Sequence, residues 1–433
     1  MKGNFQIITI IVFILAAIFG VLVFSGAIPL GNSTSNEFGA SGTVTLWGTV
    51  RNAVISDALN SFNSANKDFN VVYVEKSPDT FSQDLLEALA SGKGPDMFFL
   101  PDDLVFSYRN KTIPIPYDSF SLSSFKKTFA GAGDVFLTKD GILAMPIAVD
   151  PLVMYYNRGM LEAKGIVYPP EYWDEFEEMI PKLTEKDENQ KIKKSGVALG
   201  QYSNITRAKD ILATLFMQTG NPIIMEQDGS LVSTLGTENK KYTPGSILEF
   251  YTSFADPLQS VYSWNRSFAS SSSAFSANDL VFYFDYASEF LPLVTRNPNQ
   301  NFFVAPMPQV RDESFKLTSA RVTGIAVSSF SKNLNTAFYA ANQMAKGDFA
   351  AQFATALGMT PVRKDLLAKP PGGDSYSPIF YSSALYARSW LDPSPKDTDD
   401  IFRSTVEKVL SNALTPDEAI ADADSKMWLL LQK

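Results

Sequence analysis

Apolar and polar positions change period repeatedly along this chain, and each change marks an element. TVTLW (43–47) alternates like a strand. AVISDALNSF then sets Val54, Ala58, Leu59 and Phe62 on one helical face. NVVYVE (70–75) returns to the strand pattern. DTFSQDLLEALASG predicts a helix capped by Asp79 or Thr80, with Phe81, Leu85 and Leu89 inward and Gly92 at its end. DMFFL (96–100) predicts a third strand. Strands and helices alternating through short connections predict parallel βαβ units, a sheet covered by helices. Ligands of such sheets bind beyond the carboxyl ends of the strands. Those ends carry Trp47 with the loop GTVRN, and then PDD (101–103).

MPIAVDPLVMYYN (145–157) is an apolar run with one carboxylate, Asp150, directly before a proline. A buried charge is costly unless paired or used. Proline removes a backbone donor and biases the preceding residue toward extended geometry. The pattern predicts a buried strand to Val149 that then breaks, leaving Asp150 where the chain exits the core. A second α/β region follows. EYWDEFEEMIPKL and DILATLFMQTG read as helices, with Trp173 as core, and SGVALG reads as a short strand. The strand 280–284 ends in Asp285 and Tyr286. NFFVAPMP and RVTGIAVSS read as strands and NTAFYAANQMA as a helix, while the serine run ASSSSAFS (269–276) reads as a loop. LTPDEAIADADSKMWLLL predicts a final helix with Thr415 as N-cap, Pro416 in its first position, and Asp417 and Glu418 facing its positive end. Trp390 and Trp428 read as core or helix-surface contacts, and Asp96 as a turn-positioning residue.

The N-terminus departs from this alternation. IITIIVFILAAIFGVLVF (7–24) has 18 residues without a charge, long enough for a transmembrane helix and longer than the usual apolar core of a secretory signal. Lys2 places residues 1–6 on the cytoplasmic side. Residues 25–42 are small and polar and read as a flexible tether. The expected location is a single-pass cell-membrane protein with its body on the extracytoplasmic side, or a secreted one if the segment is cleaved at Ser25 to Ala27.

Length and chemistry narrow the function. At 433 residues two lobes are expected. A net charge of −9 excludes a phosphate-neutralising partner, so no nucleic acid is expected. The chain has no cysteine and no histidine. That removes disulfides, thiolate chemistry, imidazole bases and the usual zinc ligands. Nor is there a GxxxxGK[ST] loop for ATP. Enzyme chemistry is left with carboxylates, lysine or tyrosine, and no metal or cofactor is expected.

Five stretches in order resemble the extracytoplasmic solute-binding proteins of ABC importers, in the group that includes maltose-binding protein. They are VTLWG; ALASGKGPDMFFLPDD; MPIAVDPLVMYYNRGML followed by YPPEYWDEFEEMIPKL; AFSANDLVFYFDYASEF; and VTGIAVSS leading to ALGMTPVRKDLL, with LTPDEAIADA closing the set. The resemblance spans 43–433. It implies an α/β, two-lobed periplasmic-binding-protein fold (type II), with lobe 1 at 43–149 plus about 290–345 and lobe 2 at 150–289 plus about 346–433. Ligand would sit in the cleft between them. Carried over position by position, ligand contacts fall on Thr49, Arg51 and Asn52, on Asp102, Asp103 and Asp150, on Gln201, Tyr202 and Asn204, on Asp285 and Tyr286, and on Arg321 and Thr323. Asp399 and Arg403 would close one end. Trp47 joins them from its strand end. The group has an acidic residue near Arg51, and aromatics where this chain has Leu100 and Asp399, which argues against maltose itself. With no cysteine, an acyl anchor is excluded.

The resemblance implies a monomeric binding protein that closes around a carbohydrate, an oligosaccharide, and delivers it to ABC permease subunits served by a separate ATPase. A carboxylate-dependent glycoside hydrolase, a module for adhesion or sensing, and a binder of a non-sugar ligand such as a polyamine are the alternatives.

Overall fold

The computed structural model describes residues 40–432 except 228, 239 and 240. The expected anchor (7–24) lies outside the described residues. Among those described, no helix is long and apolar enough to cross a membrane. Ser41–Lys433 forms one compact unit.

The chain opens with β1 (Gly42–Gly48), α1 (Asn52–Ala65), β2 (Phe69–Glu75), α2 (Phe81–Ala90) and β3 (Met97–Pro101). β1 pairs in parallel with both β2 and β3, as alternating periods predict. α1 buries Ile55, Ala58, Leu59 and Phe62. Ile55 thus takes the inward place expected of Val54. α2 ends at Gly92, whose φ of +67° suits a residue without a Cβ.

β4 (Ala144–Asn157) corrects the expected break. It runs through Pro151 as one 14-residue strand, all but Tyr156 buried. Instead of stopping, it changes partners. Residues 144–151 pair antiparallel with β8 (Thr318–Val327). Residues 152–157 pair with β6 (Leu280–Tyr286) and β7 (Phe302–Ala305). Proline is tolerated here because position 151 is the last one paired with β8, and Leu152 already faces Tyr286. The resulting sheet has eleven strands among the described residues, and β8 and β4 join its two halves. β8 also pairs antiparallel with β3, and β6 in parallel with β5 (Ile192–Val197), so the sheet is mixed, not purely parallel.

Helices cover both halves. α3 (Glu175–Leu183) and α4 (Ala208–Gln218) lie with the second half, where Trp173 packs on Phe176 and Phe284 at centroid distances of 5.4 and 5.6 Å. The Trp173 indole N–H donates to Gln218 Oε1 at 2.7 Å, so this core tryptophan leaves no donor unpaired. α5 (Asp348–Ala356) packs on α1, and β9 (Thr360–Pro361) pairs with Ala148 and Val149 of β4. β10 (Ala387–Arg388) pairs with the start of β8. α6 (Pro395–Leu410) and α7 (Pro416–Leu431) pack together. α7 begins with a complete capping box between Thr415 and Glu418. The serine run is not a loop: Ser271–Ser276 is a short helix capped by Ser270, with Ala274 and Phe275 buried.

Candidate functional site

A cavity of about 480 Å³ opens where the two halves of the sheet meet. Its walls come from elements far apart in sequence. The carboxyl end of β3 supplies Asp102 and Asp103, β4 supplies Asp150, and β8 supplies Ser319, Arg321 and Thr323. The end of β6 gives Tyr286 and Ser288, and the start of α4 gives Arg207, Lys209 and Asp210. The segment from β10 to α6 adds Arg388, Ser389, Trp390 and Asp392.

Asp150 is fully buried in mid-strand, with Arg321 directly opposite in the β-ladder. Its carboxylate accepts from Arg321 Nη2 at 2.6 Å, from Ser288 Oγ at 2.7 Å and from Ser288 N–H at 3.0 Å. These charge-assisted bonds repay its desolvation. Arg321 in turn lies over the Tyr286 ring, 4.1 Å from the centroid. Arg207 approaches the same ring at 5.0 Å while its Nε donates to Asp285 at 2.8 Å. Arg207 holds a left-handed backbone (φ 62°, ψ 27°) just before α4. Tyr286 is only 3% exposed, so its ring is not open for a sugar to stack on.

Lys209 forms a second knot. Its ammonium lies 2.5 Å from Asp392, donates to Thr398 Oγ1 at 2.9 Å, and sits 5.7 Å from the Trp390 ring. Asp102 accepts from Val322 N–H at 3.1 Å and from the Ser389 hydroxyl, tying β3 to β8 and to the segment after β10. Burial and then the neighbouring Asp103 charge push Asp102 up to about 7, against those hydrogen bonds and Arg321. Asp103 is raised by desolvation and then by Asp392, and Asp210 is raised by burial against the pull of Arg207 and Lys209. Burial would lower the Arg321 value, but Asp150 and Tyr286 outweigh it and hold the guanidinium charged.

Of the residues singled out from sequence, Asp102, Asp103, Asp150, Tyr286, Arg321 and Thr323 line this cavity. Asp285 sits behind it, 1% exposed, accepting from Arg207 and the Tyr283 hydroxyl. Thr49 lines a neighbouring cavity. Trp47 and Arg51 line neither: Lys76 covers the Trp47 ring at 3.7 Å, and Arg51 is exposed just before α1. Gln201 and Tyr202 are buried in the second half. Gln201 accepts from Arg266 at 3.2 Å, and the Tyr202 hydroxyl donates to Asp399 at 2.7 Å. Trp264, fully buried, stacks on Phe268 at 4.3 Å.

Sequence reasoning missed Arg207, Lys209, Asp210, Ser288, Arg388, Ser389, Trp390 and Asp392. Two signals were there to find. RAKD (207–210) puts three charges at the head of a helix that is otherwise nearly all apolar, and ARSWLDP (387–393) sets Arg, Trp and Asp in a short link between helices. Trp390, read as a packing residue, faces the cavity.

The lining offers five carboxylates (Asp102, Asp103, Asp150, Asp210, Asp392), three guanidiniums and one ammonium. Acceptors and donors thus both line the space, which suits a ligand that both donates and accepts. Among the described residues no cluster of three or more His, Cys, Asp or Glu is placed to hold a metal ion.

Comparison with known proteins agrees with this architecture. Residues 57–377 match the bacterial extracellular solute-binding protein family, which is more than half of the chain. A binding protein of Brucella abortus (strain 2308) is 21% identical over 397 residues, covering 87% of this chain and 89% of its own. The cyclic alpha-maltosyl-1,6-maltose binding protein from Arthrobacter globiformis superposes with a TM-score of 0.71 at 16% identity, over 90% of this chain and 99% of that one. The sugar-binding protein MalE from Xanthomonas citri gives 0.68 at 16% identity, over 90% and 97%.

Proposed function

We propose that this chain, which belongs to the bacterial extracellular solute-binding protein family, binds an oligosaccharide in the charged cavity and delivers it to ABC permease subunits. The family is one of extracytoplasmic binding proteins of ABC transporters rather than of enzymes. The finer reading is carried by one observation: the cavity combines carboxylate acceptors with guanidinium and ammonium donors at the junction of the two halves of the sheet. A sugar hydroxyl donates to one and accepts from the other, so adjacent hydroxyls satisfy both. Trp390 is the aromatic surface for an apolar sugar face. Two neighbours of the same fold are named for saccharide ligands, which supports the class of ligand.

Closure is a hinge motion about β4 and β8, the strands common to both halves. Ligand shifts the population toward the closed form, which the permease reads. The chain divides into two lobes that meet near residue 150, where β4 changes partners, and the protein works as a monomer held at the outer membrane face by residues 7–24 or released by their cleavage. Among the described residues Asp102, Asp103 and Asp210 have no ion-pair partner, which favours a cationic ligand such as a polyamine as the second reading.

Thermal melts of the purified protein against mono-, di- and oligosaccharides, uronic acids and polyamines test this. Ligand that binds the folded state raises the melting temperature by mass action. A saccharide shift that disappears in Asp150→Ala is expected. A shift with polyamines and none with saccharides overturns the carbohydrate assignment.

A further inference from the structure

The charged cavity does not end at its own walls. A second chamber of about 320 Å³ adjoins it and shares Pro101, Asp103, Thr323 and Leu357 with it. Its residues are more apolar, although Thr49, Ser82, Asp103 and Thr323 also line it. Val50, Pro78, Phe81, Phe99, Leu104 and Phe353 make the wall. Phe81, Phe99 and Phe353 form a packed floor at 5%, 5% and 1% exposure, with Phe99 on Phe353 at 4.9 Å. That floor is fitted to the end of β1: a Cβ on Gly48 would meet Phe99 Cδ2 at 2.4 Å. Thr49 and Pro78 are exposed, so the chamber opens outward as well as toward the charged side. The hydroxyl of Ser82, also in the lining, is already engaged with Tyr108 at 2.9 Å.

We propose that the ligand carries an apolar, non-glycosyl substituent that lodges in this chamber while its polar part fills the charged cavity. This rests on the saccharide reading, and makes the ligand an amphipathic glycoside instead of a plain oligosaccharide. Another glycosyl unit fits the chamber poorly. Away from Thr49, Asp103 and Thr323 it would bring hydroxyls against Phe, Leu, Val and Pro, and buried donors or acceptors without partners are expensive. A short alkyl or aryl group meets no such penalty and gains from leaving water. Sharing Pro101, Asp103, Thr323 and Leu357 with the charged cavity, this phenylalanine-lined space is continuous with the cleft and extends it.

Matched methyl and hexyl glycosides of glucose, mannose, galactose and maltose, titrated calorimetrically into the purified full-length protein, provide the test. One hexyl glycoside is expected to bind about 50-fold tighter than its methyl counterpart, on the order of burying three methylene groups. That ratio should fall below about threefold in Val50→Trp, which fills the chamber, and in Leu104→Asn, which makes its wall polar. Leu104→Asn decides the matter should Val50→Trp not fold. Equal affinity of methyl and hexyl forms, or a ratio that survives both variants, overturns the proposal while leaving the saccharide reading intact. If no glycoside binds at all, the saccharide reading fails separately. The neutral dye N-phenyl-1-naphthylamine then judges the chamber: fluorescence enhancement lost in both variants supports an apolar subsite, and enhancement unchanged in them, or none in the parent, overturns it.

Discussion

The two ends of β3 hold the same kind of residue in opposite circumstances. At its start Asp96, 8% exposed, accepts from Thr45 N–H at 2.9 Å, Thr45 Oγ1 at 3.1 Å, Ser331 Oγ at 2.6 Å and Asn333 Nδ2 at 3.3 Å. Every partner there is neutral and belongs to this chain, and the end of the strand is sealed. At its finish Asp102 and Asp103 stand beside each other above Asp150, Arg321 and Asp392 in an open space. Charge at this end is concentrated without being fully neutralised. A carboxylate that only ties strands together is surrounded by its own neutral donors, whereas those at the cleft face charged groups: Asp150 meets Arg321, and Asp102 stands beside Asp103.

The largest effect expected from breaking this contrast is at Asp150. Asp150→Ala leaves Arg321 without its partner and strips Ser288 of an acceptor. Removing one member of a buried pair costs about 3–5 kcal/mol, and the partial exposure of Arg321 places this case at about 3 kcal/mol. Chemical denaturation should show that loss together with complete loss of the saccharide-induced melting shift. A variant that keeps the ligand response would remove Asp150 from the site. At the sealed end, Asp96→Ala should cost about 2 kcal/mol through orphaned buried donors. Its folded protein should still bind ligand within about twofold of the parent, since the change lies outside the cleft. Should D96A lose affinity as strongly as D150A, the two ends are not functionally distinct.

The same contrast shows what could be read in the sequence. Near the N-terminus, period alone places β1, α1, β2, α2 and β3, because each buries one face and the pattern records that face. β4 resisted the same reading. Its residues are buried on both sides, so no alternation survives, and Pro151 looked like a break when it marks a change of partner. Asp150 stood out as a lone carboxylate in an apolar run. Its significance comes from Arg321, 171 positions away, and from Ser288, 138 away. Lys209 and Asp392 are 183 positions apart, and no local pattern announces that pair. The family resemblance found the strand-end loops, but it could not supply the charged head of α4 or the link that carries Trp390. Arg207 reaches its place through a left-handed backbone, which residue type alone does not foretell for arginine.

A smaller effect is expected at Trp390, which separates packing from recognition. Its ring is partly exposed and contacts Phe402 at 6.4 Å as well as the cavity. Trp390→Ala should weaken saccharide binding about tenfold, the value of one aromatic face against a sugar ring. The melting temperature of the unliganded protein should move much less than in Asp96→Ala. A variant with normal affinity and a large stability loss would return this tryptophan to the packing role its sequence context suggested.

The smallest effect tests whether charge at the open end of β3 is held in excess. Asp102 is raised to about 7 by burial and by Asp103, so between about pH 4 and pH 7 the folded protein binds a proton that the unfolded chain has already released. Stability from this group is therefore present at acidic pH and is lost as pH rises toward 7. Asp102→Asn fixes the neutral form; its amide oxygen can still accept from Val322 N–H, and its NH2 can donate to the Ser389 hydroxyl. The variant should match the parent near pH 4.5 and melt a few degrees higher near pH 8, as about 1 kcal/mol would give. Asp103 and Asp210 are raised as well, so a residual slope of the same sign should persist. A ligand hydroxyl that donates to ionised Asp102 must also displace that proton, so affinity should climb from pH 5 to pH 8 in the parent and stay flat in D102N. Parallel melting profiles for the two proteins would show that Asp102 is as well satisfied as Asp96, and the distinction between a sealed and an open strand end would then have to rest on Asp103 alone.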